Sequence, residues 1–186
     1  FKALLSRSIL TQHTIILNIN INNIWPVYYK NKIDASSIEL WEIISRAEHL
    51  NLVHPFCKSN KIIKWDGKGS TDVLTYLNGL TYFRNFVSWN ENEGYSLYIG
   101  RKRGKKSKVI WEISKENENT FLKITVYPYL LSSISKFFSF LPHKIFVEPL
   151  LRKYLKSVVF GINFYLTKKK PVPRNHFGKH IWFSKF

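Results

Sequence analysis

The fold is decided by residues 142–168, PHKIFVEPLLRKYLKSVVFGINFYLTK. Val147, Leu151, Tyr154, Val158, Ile162 and Tyr165 recur there at spacings of three and four, and Leu150, Leu155 and Val159 broaden the stripe. Arg152, Lys153, Lys156 and Asn163 fall on the other side. That period belongs to a long helix with one wide apolar face. Proline is tolerated only in the first turns, so Pro149 places the start of the helix near Glu148. A helix with such a face needs a partner to cover it, and the chain before it supplies a sheet.

From residue 61 the sequence reads as strands separated by turn residues: KIIKW (61–65), DVLTYL (72–77), LTYFRNFVSW (80–89), YSLYIG (95–100), SKVIWEIS (107–114) and TFLKITVYP (120–128). The breaks are DGKGS, NG, NENEG, RKRGKK and KENEN, and Asn-Gly between alternating segments is a strong hairpin signal. Turns this short join strands into an antiparallel meander. Upstream, WPVYYKNKID (25–34) is aromatic and β-branched and suits a first strand. ASSIELWEIISRAEHL (35–50) then changes period, with Ile38, Trp41, Ile44 and Ala47 or Glu48 at helical spacing. Ser36 or Ser37 is the expected N-cap, Glu39 or Glu42 lies early in the helix, and Pro55 stops it. The expected class is α+β, a curved antiparallel sheet of about seven strands against a long C-terminal helix.

The chain has 186 residues, enough for one domain with a sizeable core. Its formal charge of +17 invites an anionic partner, yet Lys, Asn, Ile, Phe and Tyr, types with AT-rich codons, make up 81 residues and Lys outnumbers Arg 22 to 7. The distribution is more informative than the total. Residues 1–100 carry 10 Lys/Arg against 8 Asp/Glu, and residues 101–186 carry 19 against 4. The single cysteine, Cys57, excludes an intrachain disulfide. FKALLSRSILTQHTIILNININNIW (1–25) has no apolar run of membrane-spanning length and no clean cleavage site. Residues 1–23 are expected to be an extension, disordered or a targeting remnant, and the Asn/Ile alternation from Ile15 to Ile24 reads as a strand or as low-complexity sequence. The absence of Met and the start at Phe1 read as a processed form or a fragment. A cytoplasmic location is expected, with peripheral contact to a membrane.

The chain resembles the SRPBCC, or START-like and polyketide cyclase-like, superfamily. The resemblance is carried by IDASSIELWEIISRAEHL (33–50), HPFC (54–57), WDGKGSTDVLTYLNG (65–79) and EPLLRKYLKSVVFGINFYL (148–166). It covers residues 24–168 and leaves residues 169–186 as a basic, aromatic tail. It implies a helix-grip fold, in which the bent sheet grips the last helix around a hydrophobic cavity. No catalytic motif comes with it, and fold alone does not give function.

Period-2 alternation puts Val109, Trp111 and Ile113 on one strand face, likewise Leu122, Ile124 and Val126, and likewise Tyr95, Leu97 and Ile99. With Tyr154, Val158 and Tyr165 of the helix these are the expected ligand-binding wall; a filled core is the alternative. His54 and Cys57 are expected at the mouth, and Arg84, Tyr82 or Asn85 as polar groups orienting a ligand. His54 and Cys57 resemble a nucleophilic pair, but a proline separates them and no third orienting group is evident, so no catalytic residue is assigned. GKGS (67–70) lacks the full phosphate-loop pattern and reads as a tight turn. His176 and His180 have no further ligand nearby, so no metal and no cofactor are expected. Asp72 opens a strand and reads as a turn residue; Asp66, Asp72, Glu112 and Glu148 form no local carboxylate pair.

Basic and aromatic residues interleave in RKRGKKSK (101–108), YLLSSISKFFSFLPHK (129–144) and the tail. That mixture suits an anionic membrane surface, with residues 129–141 as the lid or contact. Single-stranded nucleic acid ranks below it for want of a recognition motif, and a solvated basic face with the tail docked on its own domain is the plain alternative. The expected activity is binding or transport of a hydrophobic molecule, a lipid, isoprenoid or aromatic. A cyclase or dehydratase acting in the same cavity is the alternative, with His54, Tyr82 or Arg84 as its first suspects.

Overall fold

A computed structural model of the chain describes residues 24–185. The expectations for residues 1–23 lie outside the described residues. Strands β1 (Val27–Ile33), β2 (Cys57–Lys64), β3 (Thr71–Tyr76), β4 (Thr81–Asn90), β5 (Gly94–Gly100), β6 (Lys106–Glu116) and β7 (Asn119–Tyr127) form one antiparallel sheet in the order β1-β7-β6-β5-β4-β3-β2. Strands β2 to β7 are the expected meander, and β1 adds to its far edge, pairing Val27 with Val126 and Ile33 with Thr120. The turns follow the sequence signals. Gly79 takes a positive φ of 88° in the Asn78-Gly79 turn. In the β4–β5 turn Gly94 adopts φ 131°, and a Cβ there would lie 2.0 Å from the Trp111 carbonyl oxygen, so only glycine lets β5 start so close to β6.

The first helix, α1 (Ser37–Ile44), starts at a capping box: the Glu39 amide donates to Ser36 Oγ, and the Glu39 carboxylate accepts from the Ser36 amide. That cap sets the phase, so Ser37, Leu40, Trp41 and Ile44 face inward and the expected core residue Ile38 is 59% exposed. The helix also ends sooner than its apolar spacing indicates. Glu48 adopts a left-handed φ of 57°, and the chain restarts as the short α2 (Leu50–Val53). The break drops His49 into the core, between the rings of Trp65 and Trp111.

The long helix is present as α4 (Glu148–Lys168), with Pro149 in its first turn. It is preceded without a loop by α3 (Lys136–Pro142) and a π-helical turn (His143–Val147). Its buried face carries Leu151, Leu155, Val158, Val159, Ile162 and Leu166. Asn163 fastens the helix to the end of β1, accepting from the Asp34 amide at 2.8 Å and donating to the Asp34 carboxylate at 3.0 Å. At Gly161 the helix runs so close over α2 that a Cβ would meet the Val53 carbonyl oxygen at 2.2 Å. Residues 171–185 then return over the domain: the Val172 amide donates to Leu52 O at 2.8 Å and the Asn175 amide to Pro55 O at 2.9 Å. This carries Val172, His180 and Phe183 into buried positions.

Candidate functional site

Strand alternation aims every second residue of the sheet at α4. The register lines them up across strands: Leu97 opposite Val109, Trp111 opposite Ile124, and Arg84 opposite both Asp72 and Ile99. The space between these side chains and the helix is not completely filled. A cavity of about 100 Å³ remains, walled by Leu97, Val109, Trp111 and Ile124 from the sheet and by Leu155 and Val158 from α4. Its polar groups are His54, Tyr76, Tyr82, Arg84, Ser107 and Tyr154.

Of the wall and polar groups expected from sequence, Leu97, Ile99, Val109, Trp111, Ile124, Val126, Tyr154, Val158, His54, Tyr82 and Arg84 reach the cavity. Tyr95, Ile113, Leu122 and Tyr165 do not line it. The reason is a block of aromatic rings at one end of the sheet. Tyr95 stacks between Trp89 and Trp111 at 5.5 and 5.4 Å, and Trp41, Trp65 and Phe86 pack around them. Ile113 and Leu122 pair beyond Trp111, and Tyr165 sits near the far end of α4, so these residues are packing at the filled end. Asn85 falls on the opposite face of β4 from Arg84.

Sequence reasoning missed Tyr76 and Phe183. Tyr76 shares its strand face with Leu74, two residues before the Asn-Gly turn, and period 2 could have found it. Phe183 comes from the tail, stacks on Tyr76 at 4.3 Å, and closes the cavity with a segment that carries no periodic signal.

Asp72 is a correction. It is fully buried in β3, its two carboxylate oxygens accepting from Arg84 Nε at 2.7 Å and from Arg84 Nη2. The reading of Asp72 as a turn residue ignored the strand opposite. The bidentate pair is neutral as a whole, but Arg84 is the member on the cavity wall, so the polar side keeps a positive bias.

His54 is the hub of the polar side. The Phe56 amide donates to its Nδ1 at 3.2 Å, and its Nε2 lies 2.9 Å from Tyr154 Oη, which lies 3.2 Å from Tyr76 Oη. Burial, helped by the nearby Arg84 charge, lowers the His54 imidazole to about 3. Burial pushes the Tyr154 phenol up to about 12 and raises that of Tyr76 as well. All three are therefore neutral at pH 7.

The other candidates resolve into packing. Burial pushes the Cys57 thiol up to about 12, and it points to Asn51 Oδ1 rather than to His54. In the GKGS turn the Gly69 amide donates to Phe86 O, the Ser70 amide to Gly67 O and the Asp66 amide to Ser70 Oγ, as in a tight turn. His180 is buried, with Nε2 donating to Leu150 O and Nδ1 accepting from the Trp182 amide, while His176 lies against Phe164. No group of three or more His, Cys, Asp or Glu among the described residues is placed to hold a metal.

A second feature lies outside the cavity. Phe137 (85% exposed), Phe138 (71%) and Phe146 (65%) project from α3 and the π-helical turn together with Leu141 and Ile145. Lys136 and Lys144 stand among them, and Lys105 of the β5–β6 loop donates to Ser133. Tyr129, at the start of this segment, reaches the cavity residue Tyr82 through their hydroxyls at 3.4 Å. No helix among the described residues is long and apolar enough to cross a membrane.

No protein-family model and no curated protein matches the chain. Solved structures do. The structure of DynU16, a protein of the dynemicin biosynthetic locus, superposes with TM-score 0.58 at 14% identity, over 78% of this chain and 48% of that one, so the chain spans about half of its length. TTHA0849 from Thermus thermophilus gives 0.60 at 12% identity over 78% and 99%, and the Aha1 protein from Colwellia psychrerythraea 0.56 at 12% over 77% and 96%. A bent seven-stranded antiparallel sheet packed on a long C-terminal helix, shared with these structures, identifies the chain's fold as a helix grip.

Proposed function

We propose that the chain binds a small hydrophobic molecule in the cavity between the sheet and α4, as a carrier or binding module. The observation that carries this reading is the cavity itself: about 100 Å³, apolar on most of its wall, with a few polar groups gathered on one side. Its size narrows the class of ligand. A cavity of about 150 Å³ holds benzene, and drug-sized ligands take roughly 300–1,000 Å³. At about 100 Å³ this cavity is smaller still, so a single ring is the most it takes as it stands. An isoprenoid or an acyl chain needs Phe183 or the Tyr82–Tyr129 contact to move aside. The place of DynU16 in a biosynthetic locus supports a small-molecule ligand in this fold. Native mass spectrometry of the protein purified from its own host tests the reading: a stoichiometric small hydrophobic compound is expected. An empty protein that also takes up no apolar dye would remove it.

The same reading has the carrier work at a membrane surface, with the exposed phenylalanines of residues 137–146 entering the lipid and Lys136 and Lys144 meeting anionic headgroups. Sedimentation with vesicles checks this. Binding is expected to rise with anionic lipid and to fall when Phe137, Phe138 and Phe146 are changed together to Ser.

One observation keeps the enzyme reading alive: His54, Tyr76 and Tyr154 reach the cavity wall, as a cyclase or dehydratase would require. Their proton affinities speak against it. General acid–base groups work best with values near the ambient pH, whereas this imidazole lies at about 3 and the Tyr154 phenol at about 12.

A further inference from the structure

The chain of hydrogen bonds that joins His54, Tyr154 and Tyr76 on the polar side of the cavity has one donor more than it can use. The Phe56 amide donates to His54 Nδ1, so the proton of the neutral imidazole sits on Nε2 and points to Tyr154 Oη. Tyr154 and Tyr76 share the next hydrogen bond. The imidazole N–H and two phenolic O–H groups make three donors, and the trio contains only two bonds. Whichever tyrosine donates to the other, one phenolic proton is left over, and the structure shows no further acceptor for either hydroxyl among the described residues. Both rings line the cavity. Neither phenol loses its proton at neutral pH, so the surplus is permanent.

Resting on the cavity reading above, we propose that the ligand is a neutral, single-ring molecule bearing a carbonyl or ether oxygen, and that this oxygen accepts the leftover phenolic proton of Tyr76 or Tyr154. A buried donor without an acceptor costs free energy that a ligand acceptor recovers and a hydrocarbon does not. A site built to hydrogen-bond its substrate rejects the analogue that cannot. Neutrality follows from the Arg84–Asp72 pair: the guanidinium is already held bidentately by a buried carboxylate, so an anionic ligand would have to compete with Asp72 for it.

The test uses cyclohexanone and methylenecyclohexane, which match in shape and differ in C=O against C=CH2, on the whole chain. Displacement of a fluorescent apolar dye reports binding, and the carbonyl stretch of bound cyclohexanone reports the hydrogen bond. The band is expected below its position in hexane. It should move in Tyr76→Phe and in Tyr154→Phe, and hold still in Tyr82→Phe, whose hydroxyl faces Tyr129. A band at the hexane position, or a lowered band indifferent to both Tyr76 and Tyr154, overturns the proposal while leaving the cavity as a binding site. If neither compound displaces the dye, the cavity reading falls as well. Should one phenylalanine variant fail to fold, the other and the wild-type band decide.

Discussion

Asp72 and Arg84 meet because a turn makes them meet. The Asn78-Gly79 turn sets Thr75 opposite Thr81, and counting outward brings Leu74 to Tyr82 and Asp72 to Arg84. The pairing was thus present in the sequence as a turn signal plus two opposite charges equidistant from it. The neighbours of Asp72 along the chain carry no sign of it, because the partner lies across the hairpin. Losing one member of a fully buried pair leaves the other uncompensated, which costs about 3–5 kcal/mol. Asp72→Ala is therefore expected to lower the urea midpoint sharply, whereas Asp72→Leu combined with Arg84→Met should recover most of the loss, since a packed apolar pair needs no desolvation. A second expectation concerns His49 and His54, both buried and both lowered to about 3, first by burial and then by the Arg84 charge. An unfolded imidazole titrates at about 6.5, so between that value and 3 the unfolded chain binds protons that the folded chain refuses. Their contribution is complete above pH 6.5 and is lost as the pH falls, at about 1.4 kcal/mol per pH unit for each fully titrating ring. Urea midpoints measured at pH 7 and pH 5 should drop accordingly, and His49→Gln should flatten the slope. An unchanged slope would mean that His49 takes up its proton alike in the folded and unfolded chains.

At the scale of elements, the alternation in β5 to β7 and the stripe of α4 were legible, because each depends on residues a few positions apart. The capping box was legible for the same reason. The break between α1 and α2 was not. Ala47, Glu48 and His49 continue a helical pattern on paper, and what stops them is tertiary: a pocket between Trp65 and Trp111 that takes the His49 ring, and an Ile62 amide that donates to Glu48 Oε1. The crossing of α4 over α2 shows the same dependence. Replacing glycine by alanine in a free helix gains about 1 kcal/mol. At Gly161 the new Cβ would stand 2.2 Å from a backbone carbonyl that no rotamer change can move, and overpacking of this kind costs about 1–3 kcal/mol. The contact is close enough to decide the sign. Gly161→Ala is expected to lower the thermal midpoint and, because Val53 precedes His54, to weaken dye binding in the cavity. A variant more stable than the parent would show that α2 has room to shift.

For the whole molecule, the sequence placed the positive charge in the second half and the greasy residues of 129–146 next to it, but it could not say that the tail closes the cavity. Residues 171–185 mix Arg174, Lys179 and Lys185 with Phe177, Ile181, Trp182 and Phe183, a composition that suits a membrane contact as well as docking on the domain. Their fate depends on single anchors distant in sequence: Asn78 donates its side chain to Trp182 O at 2.8 Å and its amide to Phe183 O, which sets the Phe183 ring on Tyr76. The ring is then both a piece of core and the wall that limits ligand size. Those two roles predict opposite effects of one substitution. Phe183→Ala removes a buried ring, which costs about 3–5 kcal/mol in a well-packed site, while the backbone hydrogen bonds that hold the tail remain. It also adds the volume of that ring to a cavity of about 100 Å³. The variant should melt at a lower temperature yet bind two-ring apolar dyes more tightly than the parent, in a titration run well below both midpoints. Lower stability with unchanged dye affinity would mean that the entrance lies elsewhere, and the Tyr82–Tyr129 contact, tied to the exposed phenylalanine segment, would then be the part of the wall that opens.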